Sequence, residues 1–230
     1  MRNIRLIVKT CFYILILSFI VSCKKNKENL NFHENYFPLD EGRFVEYDVQ
    51  SIYHDDASGV HETTNYVMKV LIGDTVIDNF GRIAKKYQRY YYNDFEQEFQ
   101  IKDLWTAIID QGRAELVEEN KRVIKLVFIP SLNKEWNMNA FNNESATNVK
   151  YENLHKTLSI GNLSFDSTLT VVEDMMEPTL ISYKRKKEVY AKNVGLISKY
   201  YKDIEINNFD TLSPLNGIEI YYTIRNFGVE

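Results

Sequence analysis

Residues 218–225 read IEIYYTIR. Ile218, Ile220, Tyr222 and Ile224 fall on every second position, with Glu219, Tyr221, Thr223 and Arg225 between them. Successive side chains of a strand point to opposite faces, so the stretch predicts a strand with one buried and one solvated side. The same period recurs in residues 44–52, where Val45, Tyr47 and Val49 oppose Glu46, Asp48 and Gln50, and less cleanly in 167–173. Residues 66–72, 82–92, 122–128, 180–190 and 196–206 are rich in Val, Ile, Tyr and Thr and read as further strands. Turn residues separate them: 55–59 (DDASG) as a hairpin tip, then Gly73-Asp74, 78–81 (DNFG), Gln111-Gly112, Glu119-Asn120 and Gly161-Asn162. The best helix candidate is the short stretch 103–111. Many strands at short spacing predict a mainly β protein: a single antiparallel, strongly curved sheet or half-open barrel with little helix.

The amino terminus decides where such a domain resides. Arg2, Arg5 and Lys9 precede an apolar run of 11 residues, 11–21 (CFYILILSFIV), which is followed by Ser22 and Cys23. A bilayer span takes about 20 apolar residues, whereas a secretory h-region takes roughly 7–15. Isoleucine at −3, serine at −1 and cysteine at +1 resemble the lipobox of bacterial lipoproteins. The resemblance implies cleavage before Cys23 and acylation of that cysteine. A plain signal anchor with an incidental cysteine is the alternative. One acyl chain binds a membrane marginally and several bind it stably. Lys24, Lys25 and Lys27 would then lie beside anionic head groups. The expected organisation is a signal peptide at 1–22, a lipid-anchored tether at 23–35 and one β domain at 36–230. Cleavage takes the formal charge from −4 to −7, which argues against nucleic acid as a partner. Both cysteines, Cys11 and Cys23, leave or are lipidated, so the domain has no thiol for a disulfide, a nucleophile or a metal.

Three segments carry a family resemblance. They are 36–47 (YFPLDEGRFVEY), 129–141 (IPSLNKEWNMNAF) and 188–199 (EVYAKNVGLISK). Together they resemble a broad group of bacterial envelope lipoproteins with a "YFPLxxGxxWxY" segment after the tether, a mid-chain echo of it, and a late "YAxxVGLV" segment. Phe44 stands where that pattern has tryptophan, and Lys134-Glu135 replaces the glycine of the echo. The resemblance implies a lipid-anchored envelope β-protein and supplies no activity. In such lipoproteins an acidic cluster after the cysteine often accompanies export to the surface. The lysines here favour the periplasmic side of the outer membrane, with surface exposure left open. Physically, Pro38 and Gly42 suit a turn into the first strand, and Phe44 and Trp136 suit core anchors. Gly195 between Val194 and Leu196 suits a bulge or a close backbone approach.

Side chains that could carry chemistry are few. His54, Asp55, Asp56, His61 and Glu62 gather around the 55–59 tip. Strand pairing there would approximate His54 and His61, with Asp56 as a third donor for a divalent metal. A solvated polar loop is the plainer reading, since the spacing matches no ligand motif. His33 falls in the tether, and His155 stands alone. The sixteen tyrosines, including Tyr90-Tyr91-Tyr92, read as cross-strand packing. The basic run 184–187 (KRKK) reads as a solvated face or a guarded edge. Thr75, Ser167 and Thr211 each follow an aspartate in Asp-Ser/Thr-x patterns that resemble an O-glycosylation acceptor of some envelope proteins. No G-x-S-x-G, H-E-x-x-H, P-loop or G-x-G-x-x-G occurs, and no cofactor is expected. The sequence thus predicts a non-enzymatic binding or assembly module for an envelope protein, a polymer or an apolar ligand. The alternative is an envelope hydrolase or metal-binding protein built on His54, His61 and nearby carboxylates.

Overall fold

The computed structural model of the chain describes residues 31–173 and 177–230. The expected signal peptide, the lipidation candidate Cys23 and the expected tether up to residue 30 lie outside the described residues. Strands β1 (Arg43–Asp55), β2 (Val60–Ile77), β3 (Ile83–Asn93), β4 (Glu98–Asp110), β5 (Arg113–Glu118) and β6 (Lys121–Val127) make one hairpin-linked meander. Strands β7 (Glu135–Asn137), β8 (Asn148–Ile160), β9 (Leu163–Glu173), β10 (Ser182–Ala191), β11 (Gly195–Glu205) and β12 (Asn216–Val229) make a second. The meanders join through antiparallel pairing of β1 with β12, giving one sheet in the order 6-5-4-3-2-1-12-11-10-9-8-7. The sheet rolls into a nearly closed barrel whose unsealed seam lies between β6 and β7. Two single 3-10 turns, Glu34–Tyr36 and Asp56–Ser58, are the helical elements among the described residues.

Alternation decides which face is inside. Val45, Tyr47 and Val49 of β1 are buried with Met68 and Val70 of β2, while Asp48 and Gln50 face water. In residues 218–225 the pattern holds at Tyr222 and Ile224, which point inward, and fails at Glu219, an outward residue only 6% exposed. Tyrosines pair across strands as expected: Tyr200 with Tyr221 (ring centroids 5.1 Å apart) and Tyr66 with Tyr91 (4.9 Å).

Side chains and a single backbone bond, not a ladder, bridge the seam. The Tyr151 hydroxyl accepts from the Val127 N–H (3.0 Å) and donates to the Val127 carbonyl (2.9 Å), occupying the position a neighbouring strand would take. The Trp136 indole N–H donates to the Ile124 carbonyl (3.1 Å), and the Ile124 N–H donates to the Met138 carbonyl (2.9 Å). These bonds satisfy edge groups that would otherwise be buried unpaired.

Three expectations are corrected. Residues 103–111 lie almost wholly in β4, where pairing with β3 and β5 on both sides overrides a weak helical pattern. Gly73-Asp74 is not a turn but a bulge inside β2, where a Cβ on Gly73 would sit 2.7 Å from Gln88 Oε1. The basic run 184–187 is not wholly a solvated face: it pairs with β11 throughout, and with β9 only at Lys187 among the described residues. Lys186 of that run is turned inward.

Candidate functional site

The barrel lumen holds the concentration of chemistry. Its strands send inward not only apolar residues but Arg89 from β3, Glu118 from β5, Lys125 from β6, Lys186 and Glu188 from β10 and Lys199 from β11. A charge inside a protein is tolerated only when it is paired and hydrogen-bonded. Lys125 Nζ donates to Glu188 Oε1 at 2.9 Å and lies 3.4 Å from Glu118 Oε1. The other Glu188 oxygen accepts from the Tyr190 hydroxyl at 2.7 Å. Arg89 pairs with Asp103 at 3.0 Å and stacks over the Trp105 ring at 4.2 Å. Burial opposes ionisation of Glu188, but Lys125, Lys186 and Lys199 outweigh it and hold the carboxyl well below its ordinary value. Burial likewise opposes charge on Lys125, yet Glu188 and Glu118 keep it protonated. Lys186 is less well served. Burial lowers it to about 8, and Glu188, 3.9 Å away and already bonded twice, offsets this only in part.

Beside this network lies a cavity of about 70 Å³. Phe37, Val45, Val70, Ile72, Val194 and Leu196 wall the half nearer the 36–42 segment; Arg89, Glu118, Lys125, Glu188 and Lys199 line the other half. A single water needs about 10–15 Å³, and an engineered apolar cavity of about 150 Å³ holds benzene. The lumen as folded therefore takes a group of a few heavy atoms, not a long lipid chain.

The segments that carry the family resemblance meet at the mouth of this lumen and at the seam. Pro38 and Gly195 are in contact: a Cβ on Gly195, whose φ is +98°, would lie 3.6 Å from Pro38 Cδ. Arg43 donates to the Asn193 carbonyl (2.8 Å), Asn193 N–H donates to the Asn35 carbonyl (2.7 Å), and the Tyr47 hydroxyl donates to the Leu196 carbonyl (2.8 Å). Gly42 (φ +83°) exchanges backbone bonds with Ile72 and Glu230. Phe44 lies opposite Gly228 on β12, against whose Cα its ring packs. Trp136 serves the seam. His33, placed by sequence in the tether, already packs on His155 (centroids 4.7 Å), and Tyr36 bonds both His155 Nδ1 (2.7 Å) and Ser167 Oγ (2.6 Å).

The histidine cluster forms, on the outer wall. His54 and His61 are register partners, and their Nδ1 atoms are 3.0 Å apart. His54 Nε2 reaches Glu219 Oε1 at 3.2 Å, and that carboxylate also binds Lys202 (3.0 Å) and the Tyr221 hydroxyl (2.7 Å). Asp56 stands 3.8 Å from His61 Nε2, on the far side of the ring from His54. The donors therefore do not converge on one point, and no group of three His, Cys, Asp or Glu among the described residues is arranged to hold a metal. The arrangement explains instead why Glu219 is buried. Of the glycosylation candidates, Thr75 is exposed on β2, Ser167 spends its hydroxyl on Tyr36, and the Thr211 carbonyl accepts from Lys202.

Sequence reading missed the lumen charges. The available signal was a lone charge in an apolar run: Lys125 within 123–127 (VIKLV). No protein-family model matches the chain, and no curated protein matches it significantly. Among solved structures it is similar to a candidate exported protein of Bacteroides fragilis with a YmcC-like fold (TM-score 0.44, 10% identity, covering 84% of this chain and 98% of that one). It is also similar to a candidate lipoprotein of Parabacteroides distasonis (TM-score 0.39, 12% identity, with the same coverage).

Proposed function

We propose that the protein is a lipid-anchored component of the bacterial cell envelope that binds a small molecule in its barrel lumen without transforming it. The carrying observation is the lumen cavity, apolar at one end and ionic at the other, set behind the mouth formed by residues 36–42 and 193–196. Concave sites walled by apolar side chains with a few placed polar groups are the usual form of a ligand site, and this one is at the small end. The anchor at Cys23 supports an envelope location, and the lysines that follow favour the periplasmic face of the outer membrane. The test is native mass spectrometry of the protein isolated gently from its host's membranes. A reproducible mass that leaves on denaturation supports the reading; a bare lipidated polypeptide counts against it.

A second reading, docking to another envelope protein, rests on the far end of the barrel. Leu180, Ile181, Phe209 and Leu212 are exposed there on neighbouring turns. Crosslinking in intact cells that reproducibly captured one partner through this end would favour it.

A further inference from the structure

A second concavity lies on the outer wall, and it shares only Trp105 with the lumen cavity. It is a groove of about 980 Å³, at the large end of the range of about 300–1,000 Å³ usual for ligand clefts. One bank is the β2–β3 hairpin tip, residues 77–82, and the other is the loop 141–144. The floor comes from β4–β6, including Leu104 and Val117, whose neighbours Trp105 and Leu116 face the lumen. Both banks are fastened to that floor. Asp78 accepts from the backbone N–H groups of Phe80 and Arg82 (2.9 Å each). Arg82 Nη1 then donates to Asp110 (2.9 Å) and to the fully buried Glu115 (3.2 Å). Arg122 donates to the same Glu115 (2.7 Å), while Asn142 Nδ2 donates to the Arg122 carbonyl (2.9 Å). The groove is preformed, so an occupant bears little of the cost of ordering it.

The lining combines exposed rings with free amides. Phe80 and Phe141 are 74% and 43% exposed, and Arg122 lies against both rings, 5.5 and 4.3 Å from their centres. Asn79, Asn120 and Asn143 bring side-chain amides that have no hydrogen-bond partner among the described residues. Charge cancels: Arg82, Lys102, Lys121 and Arg122 line the groove with Asp78, Asp103, Glu119 and Glu144. The groups paired with them from behind, Arg89, Arg113, Asp110 and Glu115, keep the two signs equal. A charged polymer would meet as many like charges as opposite ones. A purely apolar occupant would bury the amides unpaired, which is costly. An extended peptide binds best by pairing with a strand edge, and on the loop side the edge of β6 is already taken by Asn142, Trp136 and Met138. Sugar rings fit both halves of the lining. Their hydroxyls donate and accept, as the amides do, and their C–H faces suit aromatic rings.

We infer that this outer groove binds a neutral oligosaccharide, a stretch of glycan whose ring faces lie on Phe80 and Phe141 and whose hydroxyls bond to Asn79, Asn120 and Asn143. The inference is independent of the lumen, and the native mass that decides the lumen reading does not decide this one.

The test is an array of neutral and uronic-acid oligosaccharides of bacterial envelopes, probed with the full chain in detergent, followed by calorimetric titration of the members that bind. At least one neutral member longer than a single ring is expected to bind, uronic-acid members are not, and added salt should leave the affinity unchanged. Phe80→Ala should weaken binding about tenfold or more, and Phe80→Trp should retain it. Asn79→Ala and Asn143→Ala should each weaken it about three- to tenfold. Unchanged thermal unfolding of these surface variants separates lost binding from lost fold, and if Phe80→Ala does not fold, the two asparagine variants decide. Binding of no neutral member, binding left intact by all three alanine variants, or a preference for uronic acids overturns the assignment. So does a protein partner that crosslinks to the parent and is lost with Phe80→Ala, since the groove would then belong to a polypeptide.

Discussion

At the scale of single residues, the barrel is shaped by where charge and backbone strain were admitted. Lys186 is the costly cation. Its value falls from 10.5 toward about 8 on folding because burial strips its water. A folded value below the unfolded one means the charged form destabilises the fold. That penalty is complete below pH 8 and disappears as pH rises to about 10.5. Lys186→Met should therefore raise stability at pH 7 by about 1–3 kcal/mol. The gap to the parent should narrow between pH 8 and 10.5, read from denaturant unfolding at several pH values. Glu188 works in the opposite sense. Its value is depressed, so its stabilisation is full above 4.5 and is lost as pH falls below that. Gly217 is fixed by space. Its φ is +118°, and a Cβ there would lie 2.2 Å from the Asp203 carbonyl oxygen. Gly217→Ala should cost about 3 kcal/mol or more, visible as a lowered denaturation midpoint. None of this was legible in sequence, because it depends on which residues the sheet sets face to face. The period-2 pattern of 218–225 placed Glu219 on the outward face but wrongly implied that it is solvated. It could not show that His54, Lys202 and Tyr221 would cover it.

At the scale of elements, alternation and turn residues marked most strands, and the misses have a common cause. Residues 103–111 (DLWTAIIDQ) carry no strong period, so their strand state comes from neighbours on both sides. Gly73-Asp74 looks like a turn because glycine followed by aspartate also suits a bulge. The seam is the most specific feature at this scale. Residues 36–42 lead into β1 and residues 129–134 lead into β7, so the two similar segments each open a meander. Where β1 meets β12 along its whole length, β7 is three residues long and β6 is served by Tyr151 and Trp136 instead. Tyr151→Phe would leave the Val127 N–H and carbonyl unsatisfied. It should cost about 1–3 kcal/mol and speed hydrogen exchange in β6 more than in β1. An unchanged β6 exchange rate would mean the seam is closed by something other than that hydroxyl.

At the scale of the molecule, the barrel packs its apolar core and its buried ion pairs inside, while charged and amide side chains such as Asp48, Gln50, Glu46 and Arg225 lie on its outer wall. A membrane barrel has the reverse arrangement, with an apolar outer band. The wall itself should not hold the protein in lipid, and the attachment should depend on Cys23. Cys23→Ser is expected to shift the folded chain from the membrane pellet to the soluble fraction. Retention in the pellet after a high-salt wash would return the plain signal anchor as the explanation. Fold class was readable from sequence because period and turn spacing are local. The lumen site was not, because Lys125 on β6 meets Glu188 of the β10–β11 hairpin 63 residues later in the chain.

The junction of β1 with β12 has a consequence for how the chain is made. The Asp48–Arg225 contact joins residues 177 positions apart, while every other strand pair within each meander is local. A polypeptide threaded through a translocation pore amino end first delivers β1 early and its partner on that side late. In the interval, the first meander stands outside the pore with an open hydrogen-bonding edge at β1, and such edges invite pairing with foreign strands. Barrel closure must wait for the longest-range contact, which is the slow kind of step. Under the envelope location proposed above, the export machinery would have to shield a half-built sheet for the time it takes to deliver the other half, and holdase chaperones are the class of factor suited to that interval.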